Sequence, residues 1–275
     1  MILAAKRIGL IGGGAMAEAL AGGLIAGGVP TKHVRIAEPR SERRDALSDQ
    51  LGVATFEHNA DVVRDSDLVV LAVKPNVVAV ALAALPETDL DLSQPLWISI
   101  AAGVRIDSLE SGLPARVRIV RAMPNTPALV RTGATAICGN AHADASDLAV
   151  AHALFESVGT VWETDREDLL DAVTGLSGSG PAYAFLFMEA LIDAGERVGL
   201  PRSAAEQLAL QTVRGAVQLA MESDRSPAEL REQVSSPGGT TVAGLAELDA
   251  AGFREIIARA VTAATRRSTE LGKGS

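Results

Sequence analysis

Five short runs, residues 6–11, 33–37, 68–73, 96–100 and 117–121, are rich in β-branched side chains, and those at 68–73 and 96–100 are nearly continuous in apolar residues, without the apolar–polar alternation of a half-wetted strand. A strand with one face in water alternates in period two, so a run that is apolar nearly throughout must be covered on both faces. Helical patterns lie between these runs, over residues 15–26, 41–50, 76–85 and 145–157, and weaker strand signals follow at residues 134–138 and around Val161. The rhythm predicts a parallel sheet layered with helices, an α/β fold of Rossmann type. After about Glu163 the strand signal stops. Helical patterns follow one another over residues 181–198, 203–222, 228–234, 241–249 and 253–271. Ser226-Pro227-Ala228-Glu229 is a capping box with proline at the first helical position, and Gly199-Leu200-Pro201 closes the long helix before it. Two domains are therefore expected, an α/β domain over residues 1–163 and an all-α domain over residues 164–275, and 275 residues suffice for both.

Composition narrows the class of partner. A net charge of −9 without any Lys/Arg-rich run argues against nucleic acid or an anionic membrane surface, and points to a small-molecule substrate. Cys138 is the only cysteine, so an intrachain disulfide or a thiolate metal cage is not expected, and His33, His58, His142 and His152 are too scattered to form a helical zinc pair. The uncharged stretch over residues 172–188 is broken by Gly175, Gly178, Gly180 and Pro181, unlike a membrane span. The first residues lack the order of a secretory signal, which makes cytoplasmic residence the expectation. Aromatic residues reach only 3%, yet the helix over 181–198 carries the uninterrupted run Tyr183-Ala184-Phe185-Leu186-Phe187-Met188. A helix apolar nearly all round needs cover on every side. A helical region of about 110 residues can hardly supply it alone, so a second subunit is expected, the alternative being packing against the chain's own α/β domain.

Two loops suit anions. Gly12-Gly13-Gly14-Ala15-Met16-Ala17 follows an expected strand and opens an expected helix, the context in which a Gly-x-Gly-x-x-Gly/Ala pattern holds a dinucleotide pyrophosphate. Gly12 makes the tight turn and Gly14 lets the backbone approach the phosphates. The end of the second strand, Glu38-Pro39-Arg40-Ser41-Glu42-Arg43-Arg44, reads two ways. Glu38 suits the ribose 2′-hydroxyl and would repel a 2′-phosphate, whereas Arg40, Ser41, Arg43 and Arg44 could embrace that phosphate or simply form a solvated helix face. Asn59, in a loop after a short third strand, is a polar candidate near the adenosine half. Ala72-Val73-Lys74-Pro75 and Ala101-Ala102-Gly103 fall at strand carboxyl ends, where small residues would let a nicotinamide ring lie flat; Lys74 equally fits a surface charge. The second loop, Ser235-Ser236-Pro237-Gly238-Gly239-Thr240-Thr241, runs into a helix. Its glycines would leave the N–H groups of Gly239, Thr240 and Thr241 open to a carboxylate or phosphate, with Ser236 and Thr241 adding hydroxyls; an ordinary helix–helix turn is the other reading.

These motifs, with Ser99-Ile100-Ala101-Ala102-Gly103-Val104, Arg121-Ala122-Met123-Pro124-Asn125-Thr126-Pro127 and Thr174-Gly175-Leu176-Ser177-Gly178-Ser179-Gly180-Pro181-Ala182-Tyr183, occur in the order found in pyrroline-5-carboxylate reductases, which the chain resembles over essentially its whole length. The resemblance implies hydride transfer from a reduced nicotinamide cofactor, NADP(H) ahead of NAD(H), to the C=N carbon of 1-pyrroline-5-carboxylate, giving L-proline. It implies an interlocked helical homodimer, often built into larger rings such as a decamer. It also places the substrate carboxylate on Ser236, Gly239, Thr240 and Thr241, with the Thr241 hydroxyl as the catalytic group near the ring nitrogen. A β-hydroxyacid dehydrogenase shares the two-domain plan but resembles its relatives in a catalytic lysine, and no lysine occurs from Glu163 to Leu271. A non-catalytic NAD(P)-binding redox sensor would leave the Ser235–Thr241 loop without a purpose.

Overall fold

A computed structural model describes residues 2–83, 85 and 90–272. In chain order the elements are β1 (Ile8–Ile11), α1 (Ala15–Ala26), β2 (Val34–Ala37), α2 (Ser41–Leu51), β3 (Ala54–Phe56), α3 (Asn59–Val63), β4 (Leu68–Leu71), α4 (Val78–Ala83), β5 (Leu96–Ser99), α5 (Ile106–Ser111), β6 (Ile119–Met123), β7 (Gly133–Gly139), α6 (Ala145–Glu156), β8 (Gly159–Glu163), α7 (Leu169–Val173), α8 (Gly180–Arg197), α9 (Arg202–Glu222), α10 (Pro227–Gln233), α11 (Thr240–Ala250) and α12 (Phe253–Gly272). The expected helix over 76–85 begins as a 3-10 turn at Pro75–Val77 and continues as α4; part of its expected end lies outside the described residues.

The strands form one sheet in the order β3-β2-β1-β4-β5-β6-β7-β8. Double-sided burial explains their composition. Leu10, Ile36, Val70, Ile98 and Val120 face a layer that includes Leu20 and Leu24 of α1 and Leu154 and Phe155 of α6, whereas Ile11, Val69, Leu71, Trp97 and Ile119 face Leu82 of α4 and Leu109 of α5. The expected parallel sheet carries one antiparallel seam: β7 runs antiparallel to β6, and β8 is parallel to β7. The short link between β6 and β7, largely the 3-10 turn Thr126–Val130, is too brief for the crossover of about a dozen residues that a parallel return requires.

The sequence signal misses α3, α5, α7 and the π-helical turn Thr174–Gly178 that leads to α8. In that turn the Ser179 N–H donates to the Thr174 carbonyl, five residues back, at 2.8 Å. Asn125 ties it to the sheet: its Nδ2 donates to the Ser177 carbonyl at 3.0 Å and its Oδ1 accepts the Ala134 N–H at 2.8 Å.

A buried ionic network holds the last strands and the chain's final helix together. Arg121 on β6 is 3% exposed, and its Nη1 donates to Glu167 Oε1 at 2.7 Å. The same oxygen accepts the Ile106 N–H at 2.8 Å, so Glu167 also places negative charge at the positive end of α5. Arg105 approaches the other Glu167 oxygen at 3.3 Å. Asp171 on α7 lies 3.9 Å from Arg121 Nη2 and accepts hydrogen bonds from Ser268 at 2.7 Å and Thr269 at 2.9 Å, both on α12.

The chain divides into two compact units, Met1–Ser179 with Thr262–Ser275, and Gly180–Val261. The last part of α12 thus belongs with the sheet. In the second unit Ile192, Ala205 and Ala209 form a small core where α8 meets α9, and a Cβ on Gly195 would lie 2.9 Å from that of Ala205. Much of α8 stays uncovered within the chain, Phe185 being 62% and Leu186 65% exposed. Among the described residues no helix is long and apolar enough to cross a membrane.

Removing one partner from a buried ion pair strands the other, which typically costs about 3–5 kcal/mol. Glu167→Ala is expected to destabilise the first unit on that scale, read as a lower urea midpoint. A change below about 0.5 kcal/mol, the range of ordinary surface substitutions, would show that the network is not structural.

Candidate functional site

The sheet order reverses beside β1: the chain goes first to β2 and β3 on one side and then returns to β4 on the other. A crevice opens at the carboxyl ends of strands at such a point. Here it is a cavity of about 760 Å³ lined by Gly12, Gly13, Gly14, Ala37, Glu38, Pro39, Arg40, Glu57, His58, Asn59, Ala60, Asp61, Ala72, Val73, Lys74, Val77, Val80, Ala81 and Leu85.

Each glycine of the β1–α1 loop answers a different demand. Gly12 has φ +101°, its N–H donates to the Ala37 carbonyl at 2.8 Å, and an added Cβ would lie 2.8 Å from the Ala72 carbonyl oxygen. A Cβ at Gly13 would meet Leu47 at 2.8 Å and the Glu38 Cβ at 2.9 Å. At Gly14 a Cβ would meet nothing within 4 Å. The protein therefore forbids side chains at the first two positions, whereas the third faces open space that a ligand can fill. Gly14 is also the N-cap of α1, without a side-chain cap, so the first-turn N–H groups, including those of Ala15 and Met16, form an anion-favouring end.

Of the residues expected around a dinucleotide, Gly12, Gly13, Gly14, Glu38, Arg40, Asn59, Ala72, Val73 and Lys74 line the cavity. Ala15, Met16, Pro75, Ala101, Ala102 and Gly103 are not among its walls. Gly103 (φ +78°) turns toward the end of α12, where an added Cβ would lie 3.1 Å from Leu271 Cβ. Asn59 begins α3 rather than lying in a loop, and its Nδ2 donates to the Ala81 carbonyl at 3.3 Å. Glu57, His58, Val77 and Val80 escaped sequence reasoning. The first two follow a strand carboxyl end, a signal that could have found them, and the valines stand three apart on one helical face.

The arginines after β2 separate into distinct roles. Arg43 Nε donates to the Gly13 carbonyl at 2.7 Å and its Nη2 to Glu18 at 2.6 Å; Arg44 Nη1 donates to the Glu38 and Pro39 carbonyls, each at 2.8 Å. Both guanidiniums are thus committed to holding backbone. Arg40 is different: its side chain is 69% exposed and only its Nε meets Glu38, at 2.8 Å from Oε1. Glu38, 5% exposed, also accepts the N–H groups of Gly13 at 3.1 Å and Arg40 at 3.2 Å. Burial alone would push its carboxyl up, but the Arg40 and Gly13 hydrogen bonds outweigh it and hold the pKa below the ordinary value.

The second loop lies between α10 and α11. Gly238 has φ +69°, and Gly239 is the N-cap of α11, where no side chain caps the helix. The expectation of three open N–H groups is corrected at Gly239, whose N–H donates to the Ser236 carbonyl at 2.9 Å to close the turn. A Cβ there would lie 2.9 Å from that carbonyl oxygen. Thr240 and Thr241 supply the first-turn N–H groups of α11; Ser236 and Thr240 are exposed and Thr241 is half-buried. Among the described residues no group of three or more His, Cys, Asp and Glu side chains could hold a metal ion.

A glycine loop entering an uncapped helix, at the switch point of a mostly parallel sheet, defines a Rossmann-type dinucleotide-binding protein. Residues 7–103 match the family described as NADP oxidoreductase coenzyme F420-dependent, and residues 167–271 match pyrroline-5-carboxylate reductase dimerisation. The pyrroline-5-carboxylate reductase of Synechocystis sp. is 47% identical over 268 residues, covering 97% of this chain and 98% of that protein. The solved structure of a pyrroline-5-carboxylate reductase from Coxiella burnetii superposes with a TM-score of 0.90 at 39% identity over 97% of this chain and 98% of that one. The Plasmodium falciparum pyrroline carboxylate reductase with NADP bound gives 0.87 at 33% identity, covering 98% and 99%. The chain belongs to the pyrroline-5-carboxylate reductase family, and its helical C-terminal region is a self-association domain.

Because a Cβ at position 14 meets no protein atom, Gly14→Val is expected to leave the thermal midpoint within about 2 °C of the parent while weakening NADPH binding by about tenfold or more. Calorimetric titration showing parental affinity would mean that the ligand does not approach this loop.

Proposed function

We propose that the chain reduces the C=N bond of 1-pyrroline-5-carboxylate to give L-proline, the last step of proline biosynthesis, with NADPH as the preferred donor and NADH as an alternative. The observation that carries this reading is identity of 47% to a pyrroline-5-carboxylate reductase over nearly the full length of both chains. The cavity fits a dinucleotide on its own evidence, since the open space at Gly14 lies beside an uncapped helix end. Gly12, Gly13 and Gly14 with the N–H groups of Ala15 and Met16 hold the pyrophosphate. Glu38, Arg40 and Asn59 serve the adenosine half, and Ala72, Val73, Lys74 and Pro75 with Ala101 and Ala102 border the nicotinamide end. Gly103 acts through its packing on α12. The nicotinamide, when bound, supplies the hydride.

The remaining work is alignment and proton handling. An imine protonated at nitrogen is already electrophilic near neutral pH, so the chain needs to orient it and exclude water rather than provide a strong acid. The substrate carboxylate rests on the Thr240 and Thr241 N–H groups and the Ser236 hydroxyl at the start of α11, with Gly239 shaping the turn. The Thr241 hydroxyl orients the ring N–H. The hydride adds to the C=N carbon and the electron pair of the π bond goes to nitrogen, which keeps its proton as the product amine.

The chain assembles as a homodimer, with a decameric ring as its larger form, and resides in the cytoplasm. The uncovered apolar surface of α8 supports the dimer. Sedimentation of the full chain at micromolar concentration is expected to give a dimer or a multiple of it, and a monomer would overturn the assembly.

Loss of reduced-nicotinamide absorbance on adding pyrroline-5-carboxylate, with each cofactor in parallel, tests the activity; no turnover with either would overturn it. Thr241→Ala is expected to lower kcat/KM by roughly ten- to a thousandfold, the scale of one aligned donor, with cofactor affinity little changed. Thr241→Ser should keep much of the activity because the hydroxyl survives. Full activity in the alanine variant would make this loop structural.

A further inference from the structure

An acidic residue at the end of the second strand of a dinucleotide fold suggests repulsion of a 2′-phosphate. The geometry around Glu38 indicates otherwise. A carboxylate accepts about four hydrogen bonds, and three are occupied: the Gly13 N–H on Oε2, and the Arg40 N–H and Nε on Oε1. Arg40 spends its Nε on Glu38, which leaves the Nη1 and Nη2 edge of its exposed side chain at the wall of the cavity. A guanidinium edge with two parallel donors is the group best shaped for a phosphate. Arg43 spends Nη2 on Glu18 beside its Nε bond to the Gly13 carbonyl, and Arg44 spends Nη1 on the Glu38 and Pro39 carbonyls, so neither offers the whole Nη1 and Nη2 edge as Arg40 does.

We propose that Glu38 is a positioning residue for cofactor choice: by holding Arg40 through Nε it presents the rest of that guanidinium to the 2′-phosphate of NADPH, so the carboxylate favours NADPH instead of opposing it. Its one remaining acceptor position serves the 2′-hydroxyl of NADH, which gives the same geometry a weaker second use. The proposal rests on the dinucleotide reading of the cavity and is independent of which imine is reduced.

The test is calorimetric titration of the full chain with NADPH, NADH, 2′-AMP and 5′-AMP. Glu38→Gln keeps an oxygen for the Gly13 N–H but loses the charge that anchors Arg40; it is expected to raise the dissociation constants of NADPH and 2′-AMP by about tenfold, with a smaller effect on NADH and 5′-AMP. Arg40→Ala, an exposed site that leaves the glycine loop untouched, should cost NADPH and 2′-AMP a similar factor, and adding Glu38→Gln to it should change the NADPH to NADH ratio no further. An equal loss for both cofactors in Glu38→Gln would mean that Glu38 only braces the loop. A raised preference for NADPH would mean that repulsion dominates. Either result overturns the proposal, as does an unchanged ratio in Arg40→Ala. If the parent chain binds neither NADPH nor 2′-AMP, the dinucleotide reading fails and the proposal falls with it.

Discussion

Arg121 sets a condition that much of the first unit must meet. A guanidinium does not give up its charge in a protein, and this one sits on a strand inside the sheet at 3% exposure. Carboxylates must therefore be brought to it. Glu167 and Asp171 arrive from the segment after β8, Glu167 just before α7 and Asp171 on it. Asp171 then recruits Ser268 and Thr269, and the end of α12 docks on the same unit as the sheet although almost a hundred residues separate the partners. Gly103 completes the seat, because it lets Leu271 and Gly272 approach the backbone after β5.

The cavity illustrates a different logic, in which absence of side chains is imposed from opposite directions. At Gly12 and Gly13 the protein itself occupies the space, through the Ala72 carbonyl and the Glu38 and Leu47 side chains; at Gly14 nothing of the protein does. Three adjacent glycines thus look alike in sequence but differ in what a side chain would meet, packed protein atoms at the first two and open space at the third. The start of α11 divides similarly. Gly238 supplies a left-handed turn and Gly239 a close approach to the Ser236 carbonyl, so these glycines build the loop while the threonines carry the first-turn N–H groups and hydroxyls of α11.

How legible this was depended on whether the cause was local. Strands β1, β2, β4, β5 and β6 were readable because burial on both faces selects apolar, often β-branched residues at most of their positions, and the capping box at Ser226 marked α10. The reversal at β7 was not, since strand direction depends on the length and path of a link rather than on strand composition. Arg121, Glu167 and Asp171 each read as an ordinary charged residue; only the topology reveals that they meet. The glycine loop was legible from its motif, whereas Arg43 and Arg44 stayed open between phosphate ligands and a solvated helix face, because their targets are backbone carbonyls that no side-chain pattern announces. Gly239 likewise counted as an open donor until the turn closed on it.

Glu38 and Arg43 hold two successive peptide planes in the glycine loop. The carboxylate accepts the N–H of the Gly12–Gly13 peptide, and the guanidinium donates to the carbonyl of the Gly13–Gly14 peptide. In a trans peptide the two dipolar ends point in opposite directions, so gripping that carbonyl also fixes where the Gly14 N–H is aimed. Glycine is otherwise free to crankshaft, and a rotated plane would turn an oxygen toward an incoming phosphate. The two charged side chains suppress that rotation, so the ordering entropy of the loop is spent when the chain folds and not again at each encounter with a ligand.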